Sequence, residues 1–126
     1  EGLAEHPDAP PLLLMAGLLA ERNGAYPTAE KWYRGVLEAD PALVQGHKNL
    51  GDVFYRRGMH DEAARHYRRA LELSPKLGDD TLAKLANIHY NKGEHDQAVG
   101  LWHHALELNP GNQVVRNNLE TALDAT

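Results

Sequence analysis

The chain has no cysteine, which removes disulfides, thiolate metal sites and cysteine nucleophiles while saying little about compartment. Serine occurs once, as Ser74 before a proline, so the usual serine nucleophile and base constellation cannot be assembled. No glycine-rich loop ends in Lys-Ser or Lys-Thr and no His-Glu-x-x-His occurs, which leaves nucleotide hydrolysis and zinc-protease chemistry without their residues. Long hydrophobic runs are also missing. The longest, Leu12 to Ala20, falls far short of the roughly 20 residues a bilayer crossing takes, and no basic segment precedes it as in a secretory signal. The expectation is a soluble chain that is not an enzyme, carries no cofactor and does not insert into a membrane. The cytoplasm is the favoured compartment.

With 42% hydrophobic and 25% charged residues in 126, the composition is that of one folded domain and not of a disordered chain. A net charge of −5 supplies no general basic field, so nucleic acid is not the expected partner. Arg56, Arg57, Arg65, Arg68 and Arg69 do bring five of the 13 Lys and Arg together. They read as a solvated helix face, with RNA or an acidic partner as the remaining alternative. Eight histidines raise the question of a metal, but adjacent His103 and His104 project about 100° apart on a helix, and His103 with Glu107 is the one neat i, i+4 pair. Two ligands are too few for a metal site.

What the chain does have is a period. Pro7, Pro41, Pro75 and Pro110 stand 34, 34 and 35 residues apart, and each of the last three closes a Leu-Glu-x-x-Pro phrase. Such a period points to an all-α helical solenoid. Gly24, Gly58 and Gly93 keep the same spacing, as helix C-termini needing a positive φ would. Pro27, Asp61 and Asp96 then open a second helix, proline tolerating a first turn and aspartate capping free N–H groups. Along these second helices run Ala29, Tyr33, Val36 and Leu37; Ala63, Tyr67, Ala70 and Leu71; Ala98, Trp102, Ala105 and Leu106. Their offsets of 4, 3 and 1 make one buried stripe in which a small residue faces a ring.

On these residues the chain resembles the tetratricopeptide repeat family, whose unit pairs a W-x-x-L-G-x-x-Y helix with an A-x-x-x-F helix ending in proline. The middle unit matches best, through His47, Leu50, Gly51 and Phe54, then Ala63, Tyr67, Ala70 and Pro75, with His47 in the tryptophan column. The third unit offers Leu82, Leu85, Ala86 and His89 in those columns, and the first Leu13, Ala16, Gly17 and Ala20. The resemblance implies a right-handed superhelix of antiparallel helix pairs, an α-α solenoid. The expected division of the single domain, residues 1–126, is a remnant of a preceding repeat at 1–9, repeats at 10–43, 44–78 and 79–112, and a capping helix at 113–126. Pro7 and the many-sided apolar helix around Leu12 to Leu19 make a fragment of a larger array the expectation, with an extra residue between Lys76 and Asp80.

The resemblance further implies that first helices line the concave side. The groove candidates are Lys48, Asn49, Asp52, Tyr55 and Arg56 in the second repeat and Lys84, Asn87, Tyr90 and Asn91 in the third. Amides can bond an extended backbone whatever its sequence, and tyrosines add flat contact area. The clamp by which some chaperone-binding members hold a C-terminal carboxylate is not reproduced: Asn49 and Lys84 fit, but Leu14, Leu18 and Asp80 stand in the other columns. An asparagine ladder like that of O-linked sugar transferase arrays begins at Asn49 and Asn118 but is interrupted by Met15 and Lys84. The expected function is non-catalytic binding of a peptide segment or helix of a partner protein. The alternative is a homo-oligomeric scaffold assembled through an apolar N-terminal face that includes Leu14 and Leu18.

Overall fold

The 34-residue period resolves into helical hairpins. The computed structural model describes residues 10–76 and 78–124, so the expected remnant at 1–9, with Pro7, and the long-interval residue Leu77 lie outside the described residues. Chain contacts form two compact units, Glu1–Leu73 and Ser74–Thr126. The first holds α1 (Pro10–Arg22), α2 (Tyr26–Ala39), α3 (Val44–Arg56) and α4 (His60–Leu73). The second holds α5 (Asp79–Asn91), α6 (His95–Leu108) and α7 (Gln113–Asp124). Consecutive helices within each unit pack on one another, and the architecture is an all-α helical repeat.

Glycine makes the hairpins turn. After α1, α3 and α5, Gly24, Gly58 and Gly93 take φ of 77°, 75° and 82°, a region where a Cβ would clash with the following carbonyl. The N–H groups of Ala25, Met59 and Glu94 then reach back to the carbonyls of Ala20, Phe54 and His89 at 2.8, 2.8 and 2.9 Å, the 6→1 bond of a Schellman ending. The second helices begin one residue earlier than expected, at Tyr26, His60 and His95. Asp61 and Asp96 therefore sit in the first turn, and the N-cap positions Ala25 and Glu94 make no side-chain cap bond. The two carboxylates act there through their charge near the helix N-terminus.

The small-against-large stripe is the core of each hairpin. Ala29, Ala63 and Ala98 are fully buried, as are Tyr33 and Tyr67, with Trp102 nearly so. Gly17 and Gly51 lie directly against these rings: a Cβ on Gly51 would stand 2.6 Å from Tyr67 Cδ1, and one on Gly17 would strike the Tyr33 ring. Leu37 closes over Gly46 in the same way, across α2 and α3. At the far end, Val115, Leu119 and Ala122 of α7 face α6. Leu123 falls in the Phe54 column of the repeat, yet it is half exposed, because α6 covers only one side of α7 and Ala122 takes the inward position.

His47, standing where tryptophan is usual, packs by polarity instead of bulk. Its Nε2 lies 2.9 Å from the Pro41 carbonyl and its Nδ1 3.3 Å from His66 Nδ1. His66 also stacks on Phe54 at 5.7 Å. Burial, with Arg34 and Arg65 and the His47 ring nearby, pushes the His66 imidazole down to about 4.

Candidate functional site

The ends of α1 and α3 converge on a cleft of about 620 Å³ lined by Leu18, Glu21, Arg22, Gly24, Tyr26, Lys48, Asn49, Asp52 and Arg56. Its depth comes from the repeat. Glycine at Gly17 and Gly51 lets the second-helix tyrosines press against the first helices, so the phenols emerge beneath the cleft. Tyr33 donates to Glu21 Oε1 at 2.9 Å and Tyr67 donates to Asp52 Oδ1 at 2.5 Å. Each carboxylate meets a cation on its other oxygen: Arg56 reaches Glu21 Oε2 at 3.1 Å and Lys48 reaches Asp52 Oδ2 at 3.4 Å. Burial and the Glu21 carboxylate raise the Tyr33 phenol well above its ordinary range. A hydrogen bond with Tyr26, then Glu21 and Asp52, hold the Arg56 guanidinium still more firmly protonated.

Asn49 differs from these residues. It is only 8% exposed, it lines the cleft, and its side chain makes no hydrogen bond with any described residue. An amide carries two donors and an acceptor with two lone pairs, and those of Asn49 stay reachable from the cleft instead of being sealed inside the fold. Both donors and the acceptor are open to a group that enters the cleft.

Lys48, Asn49, Asp52 and Arg56 are thus brought together, and Leu18, named for the assembly face, joins them at the rim. Leu14 is half-buried. Tyr55 is not in the lining: it stacks on His60 at 5.8 Å and lies tilted against Tyr67 at 6.4 Å. Lys84, Asn87, Tyr90 and Asn91 belong to α5 in the second unit. There Tyr90 is held between His95 at 4.5 Å and Trp102 at 5.6 Å, Lys84 and Asn87 have partners of their own, and Asn91 is exposed at the helix end. Sequence reasoning missed Glu21, Arg22 and Tyr26. The signal was present: Glu21 and Arg22 stand 34 residues before Tyr55 and Arg56, and Tyr26 stands 34 before His60.

Elsewhere several charged residues pair with one another. Glu30 binds Arg34 at 2.8 Å and Arg57 at 2.6 Å. Burial works to raise this carboxyl, but the two guanidinium hydrogen bonds prevail and hold it below the ordinary range. Arg69 pairs with Glu72, so the arginine cluster is in large part compensated. A second concavity of about 720 Å³ beside α2, lined by Leu13, Trp32 and Gly35 among others, brings no buried polar group without a partner. Among the described residues no group of three or more His, Asp or Glu could hold a metal, and no helix is long and apolar enough to cross a membrane.

Profiles of the tetratricopeptide repeat match residues 1–44, 44–77 and 80–112. A comparison with curated protein sequences gives no match. Among solved structures, the chain is similar to the first TPR of Spaghetti (RPAP3) bound to the HSP90 peptide SRMEEVD, with a TM-score of 0.86 and 20% identity over 92% of this chain and 91% of that one. It is similar to YrrB, a TPR protein with an unusual peptide-binding site, with a TM-score of 0.87 and 19% identity over 97% of this chain and 62% of that one. An O-GlcNAc transferase of Thermobaculum terrenum gives a TM-score of 0.79 and 28% identity over 90% of this chain and 22% of that one. The chain spans less than two-thirds of the latter two.

Proposed function

Because the chain belongs to the tetratricopeptide repeat family, we propose that it is a non-catalytic protein-interaction module and that the cleft between α1 and α3 receives an extended segment of a partner protein. The observation that carries this reading is Asn49, a nearly buried amide with open hydrogen-bonding groups on the cleft wall. A peptide backbone offers a donor and an acceptor at every residue, which is what that amide lacks. The Tyr33–Glu21 and Tyr67–Asp52 bonds hold the surrounding wall rigid, so little ordering cost falls on binding. Two structures of the same fold, one with a bound peptide and one with a peptide-binding site, support the same class of ligand. The internal pairing of Arg56, Arg57 and Arg69 with carboxylates argues against a nucleic-acid surface.

The test is selection of binders from a random-peptide display library, followed by titration against Asn49→Ala. Affinity is expected to fall by about tenfold, as for loss of one or two well-made hydrogen bonds, with the melting temperature unchanged. Selected peptides that bound Asn49→Ala as tightly as the native chain would remove the reading.

A second reading, assembly through α1, is favoured by one observation: Leu12, Met15 and Leu19 are 55%, 66% and 59% exposed along one helix. Contiguous exposed apolar surface of this kind marks association. Sedimentation over a concentration range decides it, since a monomer at all concentrations excludes the assembly.

A further inference from the structure

We propose that the cleft selects a segment in which an aspartate or glutamate neighbours a bulky apolar residue, the side-chain carboxylate seated between Arg22 and Arg56 and the apolar group lying on Leu18. The proposal rests on the peptide reading above and names the chemistry the peptide must carry.

The argument is an accounting of donors and acceptors. Both acids of the cleft are spent: Glu21 takes the Tyr33 hydroxyl on one oxygen and Arg56 on the other, and Asp52 takes the Tyr67 hydroxyl and Lys48. Their side chains are only 12% and 13% exposed. The cations face the other way. Arg56 is 54% exposed, while Arg22 is exposed and forms no ion pair with a described residue. A guanidinium carries five N–H donors in a planar fork, so Arg56 keeps donors in hand after meeting both Glu21 and Tyr26. The wall therefore shows an incoming segment spare donors and few open acceptors. A carboxylate is the group that matches, through charge-assisted and often bidentate hydrogen bonds.

The apolar half follows from the helix period. Leu14, Leu18 and Arg22 stand at i, i+4 and i+8 on α1 and so form one ridge, with Leu18 half exposed on the cleft rim. A segment whose acid meets Arg22 has its neighbouring residues directed along that ridge. The acid is a side chain and not a chain terminus, because Leu14 and Leu18 leave the ridge without the further cations that would enclose a terminal carboxylate.

The experiment uses the whole chain and a short fluorescein-labelled peptide, acetylated and amidated, in which glutamate alternates with leucine within a Gly-Ser background. Fluorescence anisotropy should show binding that weakens about tenfold when glutamate is replaced by glutamine, and by a similar factor in Arg22→Gln and in Arg56→Gln. Arg22→Gln breaks no described contact, so it reads the site even where Arg56→Gln costs stability. Arg65→Gln, an exposed arginine of α4, should leave binding as it was. The proposal is overturned if the glutamine peptide binds equally, if Arg65→Gln weakens binding as much as Arg22→Gln, if only a free C-terminus confers binding, or if no peptide binds. A glutamine peptide that bound equally but was lost in Asn49→Ala would leave the peptide reading standing and remove only the acidic preference.

Discussion

Tyr67 donates its hydroxyl to Asp52 at 2.5 Å, and by this contact a residue of the hydrophobic core sets the position of a residue in the cleft. The ring is fully buried against Gly51, so the phenol oxygen has one rigid location, and the carboxylate that also holds Lys48 is anchored to it. Tyr33 and Glu21 repeat the arrangement one unit earlier, from a different column of the helix.

Tyr67→Phe should therefore act on stability and on the site together. Loss of a hydrogen bond to a charged group is expected to cost about 2 kcal/mol, read by chemical denaturation with an unchanged m-value. Peptide affinity should fall as well, because Asp52 then holds Lys48 less firmly. A change in stability with native affinity would show that the cleft does not depend on this anchor.

Gly51 and Gly100 should respond oppositely to the same substitution. Gly51→Ala drives a methyl into the Tyr67 ring, an overpacking cost of roughly 1–3 kcal/mol. Gly100 lies inside α6 with nothing within 4 Å of an added Cβ, so Gly100→Ala should stabilise by about 0.5–1 kcal/mol through helix propensity. Thermal melts of the two variants against the native chain check both signs.

The His66 ring should make stability fall on the acid side. Its folded value of about 4 lies below the ordinary 6.5, so between those pH values the unfolded chain binds the extra proton and stability declines as pH drops. Allowing for solvent screening, the loss by pH 5 is on the order of 1 kcal/mol. His66→Gln should flatten the melting temperature between pH 6.5 and 5, above the ordinary carboxylate range in which the stability held by the lowered Glu30 and Asp79 carboxyls starts to be lost. An equally steep decline in the variant would assign the effect to other groups.

In the second unit, Asn112 accepts the Val115 N–H at 3.1 Å and donates to Asp79 at 2.6 Å. It caps α7 and ties it to the first turn of α5. Asn112→Ala should cost about 1 kcal/mol and raise the Asp79 carboxyl, which the Asn112 and Asn109 hydrogen bonds hold low. Carboxylate NMR titration of Asp79 alongside denaturation tests both parts.

What could be read from sequence is what depends on near neighbours in the chain. Gly24, Gly58 and Gly93 were legible because a positive φ is a local demand that only glycine meets cheaply. The Ala29, Tyr33 and Val36 stripe was legible because helical offsets alone place residues on one face. Lys48, Asn49, Asp52 and Arg56 were found by column, and Glu21 and Arg22 were overlooked only because the same columns were not followed back one repeat. The fate of Leu123 was not legible, since a column records which face a residue takes and not whether a neighbour covers it.

The sequence by itself determined the repeat, its turns and its packing stripes, because these rest on backbone dihedrals and a 3.6-residue period. Tertiary structure alone decided which polar groups are satisfied. Glu21 and Asp52 meet tyrosines 12 and 15 residues away, Tyr55 is drawn into an aromatic stack, and Asn49 is left with an open amide. Hydrogen bonds between side chains require donor and acceptor to meet within about 3 Å, and that distance is set by how one helix lies on the next.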